Sequence, residues 1–149
     1  MTSTSSSIKI PRRVSDAAAV HGLLDTSVVI DLGEIEPGDL PDRISISTIT
    51  MAELSAGPHA TDDPAERARR QDRLQRAEST FDPLPFDADA ARAYGRIYAS
   101  VLAAGRKARG RRAVDLLIAA IALSHDLPLY TRNPDDFAGL SELIEVVAV

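Results

Sequence analysis

Gly22-Leu23-Leu24-Asp25-Thr26-Ser27-Val28-Val29-Ile30 is the stretch that sets the fold class of this chain. Gly22 to Leu24 form a short run that does not alternate with polar residues, as expected of a strand buried on both faces. Asp25 stands at the end of that run, and Thr26 to Ile30 read as a turn passing into a helix. A strand leading at once into a helix is the alternation from which parallel α/β sheets are built. The carboxyl ends of such strands share one rim, so an acid at a strand end is placed to meet others.

Working outward, the same alternation continues. Ile44-Ser45-Ile46-Ser47 reads as a second strand, and Thr48 or Thr50 as the cap of a helix carrying Met51, Glu53 and Leu54. A longer helix is expected from about Pro64 to Ser79, with proline tolerated in its first turn, followed by an extended, edge-like segment from Phe81 to Phe86. Asp87 caps a helix reaching Ala103, with Ala90, Tyr94, Ile97, Tyr98 and Val101 at helical spacing, and Gly105 ends it. Arg106 to Arg112 form a loop before an apolar helix, Ala113 to Ser124, with Asp115 in its first turn. Leu127 to Thr131 and Leu143 to Val149 read as the last strands, separated by a turn at Asn133 to Phe137. The expected architecture is α/β, a three-layer α/β/α domain around a central, mainly parallel sheet.

At 149 residues the chain suits one domain. Residues 1–20, with a Ser/Thr run and no apolar core, are expected to be a flexible tail, and residues 21–149 the folded domain. The longest apolar stretch, Leu116 to Leu123, cannot cross a bilayer, so no membrane association is expected. The absence of cysteine excludes disulfides, thiolate metal sites and cysteine nucleophiles, and is compatible with a reducing cytoplasm. A net charge of −5 argues against nonspecific coating of nucleic acid, yet it conceals basic clusters at Arg67, Arg69, Arg70, Arg73 and Arg76 and at Arg106 to Arg112. Such local patches could bind phosphates; the other reading of the first cluster is a solvated helix face with Asp72 and Glu78 as neighbours.

Four acids, Asp25, Glu53, Asp115 and Asp136, each fall where an apolar run meets a turn or a helix start. Singly, each has an ordinary structural explanation. Together they differ, because Asp25 and Asp115 adjoin segments that must enter the core, where an uncompensated carboxylate is costly. Carboxylates converging on one rim call for a cation, and a hard ion with oxygen ligands, Mg²⁺ or Mn²⁺, suits them and serves phosphate chemistry.

Four fragments in order, Leu23-Leu24-Asp25-Thr26-Ser27, Ser47-Thr48-Ile49-Thr50-Met51-Ala52-Glu53-Leu54, Asp115-Leu116-Leu117-Ile118-Ala119-Ala120 and Thr131-Arg132-Asn133-Pro134-Asp135-Asp136-Phe137, resemble the PIN-domain family. The similarity covers Gly22 to the C-terminus and is greatest to the VapC-type toxins of bacterial toxin–antitoxin pairs. That resemblance implies a small cytoplasmic endoribonuclease that depends on Mg²⁺ (or Mn²⁺) and is inhibited by a VapB-type antitoxin. It further implies a structured RNA substrate such as tRNA or rRNA, and a homodimer or a toxin–antitoxin hetero-oligomer. It makes Asp25 and Asp115 the principal metal ligands, has Glu53 complete or orient the site, and has Asp136 hold a second ion or the attacking water. Asp135 and Asn133 compete with Asp136 for that last role. The tail before Gly22 departs from the usual family form, in which the first strand lies almost at the N-terminus.

Two side chains carry two readings each. Thr26 either orients a water at the site or caps the helix after Asp25. Arg112 either holds a phosphate or pairs with a site acid, or faces solvent from a loop. No Walker loop or Rossmann fingerprint is present, and a receiver domain would need paired acids after the first strand and a lysine near the end, whereas the two lysines are Lys9 and Lys107. His21, His59 and His125 lack ligand spacing and read as surface or helix-end residues. Tyr94 and Tyr98 read as core or interface. The competing functions are a nuclease acting on DNA or in RNA processing outside any toxin pair, and a binding module that keeps the pocket without catalysis.

Overall fold

The computed structural model describes residues 19–149, so the expected tail over residues 1–20 lies almost wholly outside the described residues. Four short strands, β1 (His21–Leu24), β2 (Arg43–Ser45), β3 (Leu129–Thr131) and β4 (Val146–Ala148), form one sheet in the order β2-β1-β3-β4. Every pairing is parallel, with Leu23 opposite both Ser45 and Leu129, and Leu129 opposite Val146. The helices are α1 (Thr26–Ile30), α2 (Thr48–Ala56), α3 (Pro64–Thr80), α4 (Ala88–Ala103) and α5 (Arg111–Ser124).

Strand alternation divides the core in two. Leu23 and Leu129 point to one face and pack with Ile97, Val101, Leu116 and Ile121 of α4 and α5. Leu24 and Tyr130, one residue on, point to the other and pack with Val28, Leu54 and Ala77 of α1, α2 and α3. Helices therefore cover both faces of a parallel sheet, the expected three-layer α/β/α arrangement. Gly22 is required here, because a Cβ built on it would fall 2.5 Å from Cε1 of Tyr130, leaving no room for a side chain under the ring.

The extended segment after α3 behaves as expected of an edge. Leu84 donates its backbone N–H to the Ile46 carbonyl and accepts from Thr48 N, each at 2.9 Å. Asp87 caps α4 by accepting from Ala90 N at 3.0 Å.

Several local expectations are corrected. Ser47, not Thr48 or Thr50, caps α2: its backbone is the last in extended conformation, and its Oγ accepts from Thr50 N at 3.0 Å. Helix α5 begins at Arg111, ahead of the expected Ala113, because Gly110 takes the cap position at φ +64, which places Asp115 beyond the first turn. The last strands are shorter than expected, since Leu127 N is committed to the Ala122 carbonyl and Leu143 and Ile144 N to that of Leu140. His21 is neither a surface nor a helix-end residue; it belongs to β1, half-buried, with Nε2 2.7 Å from the Ser45 hydroxyl. His125 does end α5 and is exposed.

Candidate active site

Strand β1 delivers Asp25 to the sheet rim at the N-terminus of α1, where Asp25 is the helix cap. Its backbone N–H still donates to Tyr130 O at 2.9 Å, so the residue is anchored to β3 as well. The side chain is only 5% exposed, and each oxygen has partners: Oδ1 accepts from Thr26 N at 2.8 Å, and Oδ2 accepts from the hydroxyls of Ser27 at 2.9 Å and Thr131 at 2.8 Å. The holders are themselves held. Thr131 Oγ1 accepts from Asn133 N at 2.9 Å, and Ser27 Oγ from Arg132 N at 3.1 Å. One carboxylate is thus fixed by two strand ends that lie far apart in the chain.

Glu53 enters from α2. Thr26 donates its hydroxyl to Glu53 Oε1 at 2.5 Å and lies 2.9 Å from the hydroxyl of Thr50, which is fully buried. Asp25, not Thr26, does the capping of α1, and the Thr26 hydroxyl instead positions Glu53. The supporting roles of Thr50 and Thr131 were missed in the sequence; the signal that could have found them was a small hydroxyl residue at a strand end and another one turn before the acid.

Asp115 comes from α5 and is 9% exposed. Burial pushes its pKa up to about 7, and the negative charges of Asp25, Asp136 and Glu53 add to the effect, with Arg111 opposing it. All four expected acids therefore share one electrostatic environment. Asp136 sits half-buried in the turn Pro134–Phe137, which the buried Phe137 ring pins to the core. Arg112 donates to the Asp136 carbonyl at 2.8 Å, so it braces that turn instead of pairing with a carboxylate or facing solvent from a loop. Asp135 is exposed on the outer side, its carbonyl taken by Arg106 at 3.3 Å. Asn133 is exposed, with its backbone tied to Thr131.

The donors gathered here are carboxylate and hydroxyl oxygens, a set that suits a hard divalent ion and not a soft one. Among the described residues no group of three or more acidic or histidine side chains is close enough together to hold a metal ion. Mg²⁺ does not require one, since it keeps several of its waters and binds through one or two carboxylates. The residues present fit such an ion.

Elsewhere, α3 carries its arginines largely as a paired helix face. Arg69 and Arg70 bond Glu66, Arg76 bonds Asp72, and Arg67 donates to the carbonyls of Pro58 and Thr61. Glu66 takes the part expected of Glu78. Tyr94 and Tyr98 meet at a tilt of 42°, ring centres 6.1 Å apart, with Tyr94 against the core and Tyr98 41% exposed. Leu54 of α2 is in the core at 5% exposure.

Comparison with known proteins places this geometry among relatives. The PIN domain model matches residues 22–143. Ribonuclease VapC5 of Mycobacterium tuberculosis is 37% identical over 133 residues, which is 86% of this chain and 95% of that protein. Ribonuclease VapC8 of the same species is 40% identical over 104 residues, 68% of this chain and 89% of the relative. Among solved structures, the chain is similar to one from VapBC-5 of M. tuberculosis, a member of the VapBC family of toxin–antitoxin systems. That match has a TM-score of 0.77 and 37% identity, covering 87% of this chain and 99% of the other.

Proposed function

The chain belongs to the PIN-domain family, and on that premise we propose that its acidic pocket hydrolyses RNA phosphodiester bonds. It is an endoribonuclease of the VapC kind, the toxin of a toxin–antitoxin pair, held inactive by a cognate VapB-type antitoxin. The observation that carries this reading is the burial of Asp115 against three further carboxylates, a concentration of like charge that calls for a cation.

Asp25 and Asp115 are the residues that would hold Mg²⁺ or Mn²⁺, with Glu53 completing the set. When bound, the ion supplies charge stabilisation for the phosphoryl oxygens and makes water a better nucleophile near neutral pH. The protein's part is placement. Ser27 and Thr131 hold the Asp25 carboxylate in one orientation, and Thr26 does the same for Glu53, so little reorganisation is needed when substrate arrives. Asp136, half-buried at the rim, would orient the attacking water or help to hold a second ion. Hydrolysis joins a water oxygen to phosphorus and releases the ribose oxygen, which takes up the proton.

A cleft of about 530 Å³ along α1 and α3, lined by Val29, Ile30, Leu32 and Phe81 with Arg69, Asp72, Arg73 and Arg76, supports docking of an antitoxin segment through its apolar side chains. Among the described residues no helix is long and apolar enough to cross a membrane, and action in the cytoplasm, on structured RNA, by a homodimer or a toxin–antitoxin hetero-oligomer, completes the proposal. Purified protein should cut structured RNA with added Mg²⁺, and chelator, Asp25→Ala or Asp115→Ala should each abolish cleavage. Undiminished cleavage by correctly folded variants overturns the assignment.

A further inference from the structure

Arg73 stands apart from the other arginines of α3. Arg67, Arg69, Arg70 and Arg76 each donate to a carboxylate or a carbonyl, whereas Arg73, half-buried, has no hydrogen-bond or ion-pair acceptor among the described residues. A guanidinium never loses its charge, so leaving it partly desolvated without an anion is unfavourable. Arg111, exposed at the start of α5, also has no hydrogen-bond or ion-pair acceptor among the described residues.

Both line one pocket of about 400 Å³, whose wall also includes Thr26 and Glu53 of the acid cluster. Arg70, three residues before Arg73 and on the same helix face, lines it too, but its guanidinium is spent on Glu66 at 2.8 Å and on the Gly57 carbonyl at 2.9 Å. What the pocket offers an incoming group is therefore two guanidinium groups with no hydrogen-bonded acceptor among the described residues, on a wall shared with Glu53 of the acid cluster and with Glu66. An anion held there lies beside Thr26 and Glu53.

We propose that Arg73 and Arg111 form a phosphate subsite that grips an unpaired RNA strand next to the scissile bond, on the α3 side of the acid cluster. This deepens the ribonuclease reading and rests on it. A pocket of four carboxylates repels a polyanion, and a chain with net charge −5 has no general attraction for one. Fixed cations at the pocket wall supply the attraction where the strand must lie, and planar guanidinium groups bind phosphate oxygens in pairs. RNA is favoured over an acidic segment of the antitoxin because this pocket shares its wall with Thr26 and Glu53, where substrate has to pass.

The test uses full-length protein carrying Asp115→Asn, so that RNA is bound and not cut, with a short fluorescein-labelled single-stranded RNA as probe. Anisotropy titrations between about 50 and 200 mM salt give the slope of log affinity against log salt. Arg73→Gln and Arg111→Gln should each weaken binding about tenfold and reduce the slope by about 0.7. Arg73→Lys should keep the slope, and Arg92→Gln, whose residue pairs with Asp89 on α4, should match the parent. In the otherwise native enzyme, Arg73→Gln should raise KM and leave kcat close to its starting value. A double variant, Arg73→Gln with Arg111→Gln, that keeps the parent's affinity and slope overturns the subsite. So does one that binds RNA normally but releases the antitoxin. The ribonuclease reading fails by a different readout, uncurtailed cleavage in the Asp115→Asn protein, so the two failures cannot be confused.

Discussion

Thr131 donates its hydroxyl to Oδ2 of Asp25 at 2.8 Å, joining two residues 106 positions apart in the sequence. Both are buried, at 0% and 5% exposure, so the bond forms where water cannot replace it. It links the ends of β1 and β3 and sets the direction in which the Asp25 carboxylate faces the other acids.

Thr131→Val removes that donor and also the acceptor for Asn133 N, while keeping the side-chain shape. We expect a loss of about 1–3 kcal/mol in urea unfolding. RNA cleavage should fall about 10–100-fold as Asp25 loses its orientation. A variant with native activity would show that Ser27 and the Thr26 backbone suffice to hold Asp25.

Asp115 gives a pH signature whose sign is unusual for an acid. Its pKa in the folded protein is raised to about 7 from 3.8, so in metal-free protein the folded state binds more protons than the unfolded state between those values. Stability is therefore greatest near the lower pH and falls as pH rises towards 7, by at most about 4 kcal/mol. Asp115→Asn should flatten this slope in melting experiments. Mg²⁺ competes with the proton, so it should raise Tm at about pH 8 and have little effect at about pH 5.

Asp136 and Asp135 are adjacent but differ in placement, one half-buried and adding to the field on Asp115, the other exposed with its carbonyl held by Arg106. Asp136→Asn should reduce cleavage about 10–100-fold, and Asp135→Asn should not. Initial rates on one RNA decide it, and equal losses from both would mean that the turn as a whole, not one carboxylate, matters.

Gly22→Ala tests the packing that carries the site. The added Cβ meets the Tyr130 ring at 2.5–2.8 Å, so β1 or the ring must shift, and overpacking of this kind costs about 1–3 kcal/mol. Because Asp25 N is bonded to Tyr130 O, activity should fall with stability. Denaturation midpoint and cleavage rate measured together show whether the two move in step.

Much of the fold was legible because it follows from local chemistry. The run Gly22 to Leu24, the acid after it, the Asp87 cap and the helical spacing of Ala90, Ile97 and Val101 each specify an element without reference to distant residues. The ends of α2 and α5 were less legible: the choice among Ser47, Thr48 and Thr50, or between Gly110 and Ala113, depends on which residue keeps an extended or left-handed backbone. That choice is made by packing.

The four acids could be named from the sequence because each sits at the boundary of an apolar segment, and such boundaries are written in the order of residues. Their ranking could not be. Asp136 is half-buried and adds to the field on Asp115 while Asp135 is exposed, because Phe137 pins and Arg112 braces one side of the turn. Thr26 serves Glu53, and Thr131 serves Asp25, because a parallel sheet brings the ends of β1 and β3 and the start of α2 to one rim. By itself the sequence determined which elements form and which acids lie at their ends. Only the tertiary structure decided which hydroxyls hold those acids and which arginines lack an acceptor among the described residues, since hydrogen bonds and desolvation depend on distances between segments that the linear order does not contain.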